Sequence, residues 1–234
     1  MRENFLRRVS LLVLSMILMG AGLTRLQGAI INIDFNAYSA STNSFPGGVE
    51  NYTGQGAVSD PGNNGWNYFL INGLATPATL TDLTTSTGAG TGISLTVNAA
   101  SAYNEGYSND LFQEYIIAAG GGSSWTLQNL TPGQSYDLYF YSQPAQYSGS
   151  ASFTVGANTV NVNSVSNNTG FNLGTSYNTL TAVADGTGQI TGSYTGNWNG
   201  LTIATIPEPG TYVLLAAGLV GVFVLRRRLK ATAA

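Results

Sequence analysis

Chemistry in this chain has to be done without two of the usual side chains. There is no histidine and no cysteine among its 234 residues. That excludes a Ser-His-Asp triad, a cysteine nucleophile, a disulfide and a zinc site of the ordinary kind. Acid–base work would fall to the carboxylates Asp34, Glu50, Asp60, Asp82, Glu105, Asp110, Glu114, Asp137 and Asp185, which lie between Ile30 and Ile206. Two of them facing across a cleft would be the arrangement of a glycoside hydrolase. No spacing in the sequence singles out such a pair, so no catalytic residue is assigned.

Aromatic side chains are better placed to meet a ligand. Along Ser135 to Ser142, strand alternation puts Tyr136, Leu138 and Phe140 on one face and Asp137, Tyr139 and Tyr141 on the other. Tyr139 and Tyr141 then form a platform on which a sugar ring can stack, with Asp137 accepting from a hydroxyl. The plainer alternative is that these tyrosines pack under a loop or a second sheet. Trp66, near Asn63, Asn64 and Asn67, and Trp198, between Asn197 and Asn199, pair an aromatic face with amides. That pairing also suits carbohydrate, against the alternative of tryptophans buried in Asn-rich turns.

Hard oxygen ligands for calcium are grouped at Asp60 with Asn63 and Asn64, and at Asp110 with Asn109 and Glu114. Neither group has the EF-hand pattern, and turn and capping roles account for such residues equally well. No other cofactor is expected.

The elements that must carry these groups are strands. From Ile30 to Ile206 no useful stretch has helical periodicity. Short β-rich runs recur between Gly, Asn, Asp and Pro clusters. They include Ile31–Phe35, Ile93–Val97, Tyr115–Ala118, Trp125–Leu127, Ala151–Val155, Thr159–Val162, Leu180–Val183, Gln189–Tyr194 and Leu201–Ile206. Pro132-Gly133 predicts a type II turn, and Asn199-Gly200 predicts a hairpin joining Gln189–Trp198 to Leu201–Ile206. The fold class expected is all-β, a β-sandwich or jelly roll of about ten strands.

Within it, "NLTPGQSYDLYFYS" (Asn129 to Ser142) and "NWNGLTI" (Asn197 to Ile203) are loosely similar to galactose-binding-like jelly rolls. The resemblance implies that fold class and glycan binding, and it assigns no residue.

Charge narrows the partners. All eight basic residues lie at the two ends, so the stretch from Ile30 to Ile206 has nine carboxylates and no Lys or Arg. Nucleic acid, whose binding rests on cations that neutralise phosphate, is excluded as a partner of this stretch.

The ends read as addresses. Residues 1–29 have a basic start at Arg2, Arg7 and Arg8, an apolar run from Val9 to Leu23 and a small-residue exit at Gly28-Ala29. This predicts a signal helix for the Sec route. Gln27 departs from the small residue usual three places before a cut after Ala29, and the alternative is an uncleaved anchor.

At the other end Pro207-Glu208-Pro209 leads into an apolar run of 15 residues, Thr211 to Leu225, and then Arg226-Arg227-Arg228. As a helix that run is about 22 Å long, short of the roughly 30 Å hydrocarbon core. It spans by bilayer thinning and snorkelling of its arginines, which hold that end on the cytoplasmic side.

This order of triplet, short transmembrane run and basic tail resembles the PEP-CTERM sorting signal. The resemblance implies processing by an exosortase near Pro207-Glu208-Pro209, anchorage of the precursor in the inner membrane, and delivery to the cell surface or extracellular matrix, where polysaccharide is an expected partner. The expected organisation is therefore a signal peptide (1–29), an exported β-sandwich (30–206) and a sorting tail (207–234). The expected role is structural or adhesive and non-catalytic. A carboxylate-dependent glycan hydrolase and a matrix subunit without glycan affinity are the alternatives.

Overall fold

The computed structural model describes residues 28–38, 52, 54–58, 65–72, 77–104, 111–143, 149–165 and 170–206. The expected signal helix and C-terminal membrane helix lie outside these residues. Among the described residues there is no helix, and the structure is all-β.

The described residues form fourteen strands rather than about ten: β1 (Ile30–Tyr38), β2 (Trp66–Asn72), β3 (Ala78–Leu80), β4 (Ser94–Val97), β5 (Ser101–Asn104), β6 (Glu114–Ile117), β7 (Ser123–Gln128), β8 (Ser135–Tyr141), β9 (Gly149–Val155), β10 (Asn158–Ser164), β11 (Tyr177–Val183), β12 (Ile190–Thr195), β13 (Asn197–Trp198) and β14 (Gly200–Thr205). They form a five-stranded sheet in the order β11-β8-β14-β1-β2, a six-stranded sheet in the order β10-β9-β12-β7-β4-β3, and a small sheet β13-β6-β5.

The alternation that makes each strand also makes the sandwich. Ile31, Ile33 and Phe35 of β1, Leu138 and Phe140 of β8, and Leu201 and Ile203 of β14 turn inward from the five-stranded sheet. Leu95 and Val97 of β4, Trp125 and Leu127 of β7, and Phe153 of β9 meet them from the six-stranded sheet. Phe140 stacks on Phe153 across the gap with ring centroids 4.5 Å apart and planes within 13°. The small sheet contributes Trp198, whose ring lies 4.8 Å from Phe35, 5.0 Å from Tyr194 and 5.5 Å from Phe153. One tryptophan thus ties three sheets into a single core.

The turn at Pro132-Gly133 is as the sequence predicts. Gly133 has φ +76° and Gln134 N–H donates to Thr131 O at 3.1 Å, the closure of a type II turn.

The hairpin expected at Asn199-Gly200 does not form. β12 pairs with β7 and β9, whereas β14 pairs with β8 and β1, so the chain crosses between sheets at this point. Asn199 is buried and its polar groups bond to other strands. Gly200 is needed for closeness: a Cβ there would meet Ile33 O at 2.6 Å.

All strand pairs are antiparallel except β1 with β2. A parallel pair needs a crossover, and residues 52 and 54–58 belong to it. They lie against the outer face of the five-stranded sheet, where Ala57 N–H donates to the Tyr141 hydroxyl at 3.0 Å. The last strand, β14, sits at the centre of that sheet. Its end adjoins the start of the described chain, with Thr205 N–H donating to Ala29 O at 3.2 Å.

Candidate functional site

The strand register lays out the outer face of the five-stranded sheet in rows. Thr179, Tyr139, Thr202, Asn32 and Trp66 lie side by side across all five strands. The next row is Tyr177, Tyr141, Gly200, Asp34 and Tyr68. A second aromatic cluster forms here, outside the sandwich core. Tyr141 is 6.0 Å from Trp66, 6.1 Å from Tyr177 and 5.5 Å from Phe171, while Tyr139 lies 6.3 Å from Tyr177 with the planes at 32°.

The central part of this face is covered and internally bonded. A directional chain of hydrogen bonds runs from Ala57 N–H to the Tyr141 hydroxyl, on to the Thr202 hydroxyl at 3.0 Å, and from Thr202 to Asn32 Oδ1 at 2.7 Å. Because Thr202 spends its proton on Asn32, Tyr141 must donate to Thr202. Burial pushes the Tyr141 hydroxyl far above its ordinary range. Trp66 Nε1 donates to Gly54 O at 2.9 Å, and the Tyr52 ring packs edge-on against the indole at 5.0 Å. Tyr52 N–H donates to Asp34 Oδ2 at 3.3 Å.

Beside Asp34 the side chain of Tyr68 is half-buried, and its hydroxyl is sealed from solvent with no hydrogen-bond partner among the described residues. Its pKa is pushed up to about 12, first by burial and then by the negative charges of Glu114 and Asp34.

The edge of the face is more open. Tyr139 and Tyr177 are half-buried neighbours on β8 and β11. One row along, the Thr181 hydroxyl donates to Asp137 Oδ1 at 2.6 Å.

The residues singled out in the sequence therefore separate. Tyr139, Tyr141, Trp66 and Asp137 share the outer face. Trp198 does not: it is fully buried between the sheets, with Nε1 donating to Gly200 O at 2.8 Å, so it has no ring face for a sugar. Tyr141 is also fully buried and cannot act as an open platform; the loop carrying Ala57 covers it. Tyr177 takes its place as the partner of Tyr139. That strand begins at Tyr177 rather than at Leu180, and the alternation of Tyr177, Thr179 and Thr181 carries the signal.

Asp60 and Asp110 lie outside the described residues, as do Pro207, Glu208, Pro209 and Arg226 to Arg228. Among the described residues no group of three or more acidic side chains is arranged to hold a metal ion. Asp82 and Asp185 serve turns. Asp82 Oδ1 accepts from Gly92 N–H at 3.1 Å. The Asp185 carboxyl is held below the usual carboxylate range by the Thr187 hydroxyl first, then by the N–H groups of Gln189 and Thr187.

The other side of the sandwich is of a different kind. On the outer face of the six-stranded sheet β7 presents Ser124, Thr126 and Gln128, and β12 presents Thr191, Ser193 and Thr195. β9 presents Ser150, Ser152 and Thr154, and β10 presents Thr159, Asn161 and Asn163. Thr96 of β4 and Thr79 of β3 complete the face, their hydroxyls 2.8 Å apart.

Comparison with known proteins identifies the tail. Residues 205–228 match the PEP-CTERM protein-sorting motif, which makes the chain an exosortase-sorted extracellular protein, made as a membrane-anchored precursor and processed at the cell surface. No curated protein matches the chain. Among solved structures, the enzymatically active domain of tailspike protein 4 of bacteriophage CBA120 is 13% identical over 56% of this chain and 17% of that chain, with a TM-score of 0.19.

Proposed function

With a sorted, extracellular destination as the premise, we propose that the body is a non-catalytic structural or adhesive component of the cell envelope or matrix. It holds polysaccharide on the edge of its five-stranded sheet. The observation that carries this reading is the pair of half-buried rings, Tyr139 and Tyr177, 6.3 Å apart and beside the Asp137–Thr181 hydrogen bond. Such rings offer a sugar an apolar face, and the neighbouring carboxylate and hydroxyl orient it.

On the same reading residues 1–29 are a Sec signal, 30–206 the exported body and 207–234 the sorting tail. Exosortase acts near Pro207-Glu208-Pro209, and Arg226 to Arg228 hold the precursor in the inner membrane.

The test is affinity electrophoresis of the detergent-solubilised full chain through a panel of polysaccharides, with reducing ends followed in parallel. Retardation without new reducing ends is expected. Tyr139→Ala with Tyr177→Ala should weaken it at least tenfold, about 1.4 kcal/mol. Unchanged retardation in that double variant overturns the site, and no retardation in any polymer leaves a matrix subunit without glycan affinity.

The alternative of a glycan hydrolase rests on Asp34 and Tyr68 being side-by-side partners on β1 and β2, with the negative charge of Glu114 also acting on the Tyr68 hydroxyl. Release of reducing ends that is lost in Asp34→Asn or Glu114→Gln would replace the binding reading with that one.

A further inference from the structure

We infer that the outer face of the six-stranded sheet is a second binding face, and that it takes neutral polysaccharide laid flat across the strands. This goes beyond the aromatic edge on the opposite side of the sandwich and does not depend on it.

Three observations carry the inference. First, the face has one chemistry. Across all six strands the outward positions are hydroxyl or amide, with no charged, aromatic or aliphatic side chain among them. Hydroxyls and amides both donate and accept, which is the complement a sugar hydroxyl requires.

Second, neighbouring side chains fix one another. Thr154 and Thr159 hydroxyls are 2.8 Å apart, the Ser152 hydroxyl donates to Asn161 Oδ1 at 2.6 Å, and Asn98 Nδ2 donates to the Ser124 hydroxyl at 2.6 Å. Each of these bonds restrains the two side chains it joins, which keep further hydrogen-bonding capacity. Preordered groups lose less freedom when a partner arrives. Strand spacing of about 4.8 Å and an alternate-residue repeat of about 6.8 Å make the array a two-dimensional lattice, suited to extended polymer chains.

Third, charge selects the occupant. From Ile30 to Ile206 the chain has nine carboxylates and no cation, so its net charge disfavours an anionic polymer and no cation is present to pair with one. The described carboxylates Asp34, Asp82, Glu114, Asp137 and Asp185 all lie off this face, and a neutral polymer can approach it without burying charge. A second copy of the chain is the poorer fit. Protein interfaces draw on aromatic and aliphatic anchors at their centre, and this face has none.

Two faces on opposite sides of one sandwich would let a single copy bridge two polymer chains.

The experiment uses the detergent-solubilised full chain with three probes: microcrystalline cellulose, soluble dextran and alginate. Co-sedimentation with cellulose, weaker retardation in dextran and no binding to alginate are expected, with little change as salt is raised. Thr126→Glu combined with Thr191→Glu, both on the face, should reduce cellulose binding at least tenfold while far-ultraviolet circular dichroism is unchanged. Should those charges disturb folding, Ser193→Ala with Thr195→Val removes hydroxyls alone and should cost at least threefold.

Tyr139→Ala with Tyr177→Ala should remove only the share of binding that the aromatic edge supplies, and the cellulose binding that remains should be lost when the face substitutions are added. Loss of all binding in that tyrosine variant, with none in the face variants, overturns this inference and leaves the aromatic edge standing. The reverse pattern removes the aromatic edge and keeps this face. Concentration-dependent self-association abolished by the face substitutions, without cellulose binding, assigns the face to a second copy and overturns the inference.

Discussion

Asn199 accounts for four hydrogen bonds where the sheets meet. Its N–H donates to Tyr141 O, its O accepts from Phe35 N–H, its Oδ1 accepts from Gln143 N–H at 2.7 Å and its Nδ2 donates to Glu114 O at 2.7 Å. Asn199→Ala strands one backbone donor and one backbone acceptor in the interior. At about 1–3 kcal/mol for each buried orphan, the loss should be near 3 kcal/mol in urea unfolding. The same residue shows why part of the site was not legible. Asn-Gly is the strongest short-range hairpin signal, yet the partners of Asn199 are residues about 55 and 85 positions away. Only tertiary context can reveal them.

Tyr68 gives a pH prediction. Its folded pKa of about 12 lies above the ordinary 10, so the folded chain retains a proton that the unfolded chain releases between those values. Its contribution is fully present below pH 10 and is lost as pH rises through that window. Stability measured across the range should fall less steeply in Tyr68→Phe than in the parent. Tyr141 and Tyr194, both pushed up by burial, will keep some slope in either chain.

At the level of elements, two glycines with similar backbone angles should respond differently. Gly156 (φ +57°) is in the two-residue turn between β9 and β10 with open space around it, whereas at Gly196 (φ +74°) a Cβ would meet Ser150 O at 2.3 Å. Gly156→Ala should cost about 1 kcal/mol from the left-handed angle alone. Gly196→Ala adds a backbone collision and should cost about 3 kcal/mol. Thermal unfolding of the two variants separates these terms.

The strands legible in the sequence were those with one wet face and one buried face, such as Ala151 to Val155 and Thr159 to Val162. β2 was missed because both its faces are apolar: Phe69 and Ile71 point to the core while Trp66 sits under the crossover. β3, β5 and β13 have only two to four residues, too few for a period to show. The hydroxyl face could be read as alternation strand by strand, but its continuity depended on a strand order that no local pattern encodes.

For the whole molecule, β14 provides the next prediction. It is the last strand among the described residues and is paired on both sides, with β8 and with β1. Truncation after Trp198 should remove the cooperative unfolding transition entirely. Truncation after Ile206 should preserve it, since Ile206 N–H makes the last described backbone bond, to Ser135 O at 3.1 Å. Calorimetry of the two truncated chains tests this.

That central position also sets a clock. On the export route proposed above the chain crosses from its N-terminus, and the five-stranded sheet stays open down its middle until the final residues of the body have followed. The strand that closes it runs directly into the sorting motif, which begins at residue 205. On that route closure of the sheet and arrival of the tail at the membrane would be nearly simultaneous. Until then the pairs β11-β8 and β1-β2 lack the strand that joins them. Were the chain to cross unfolded on that route, insertion of β14 would leave a sandwich too wide to slide back, so completing the fold would also make export irreversible.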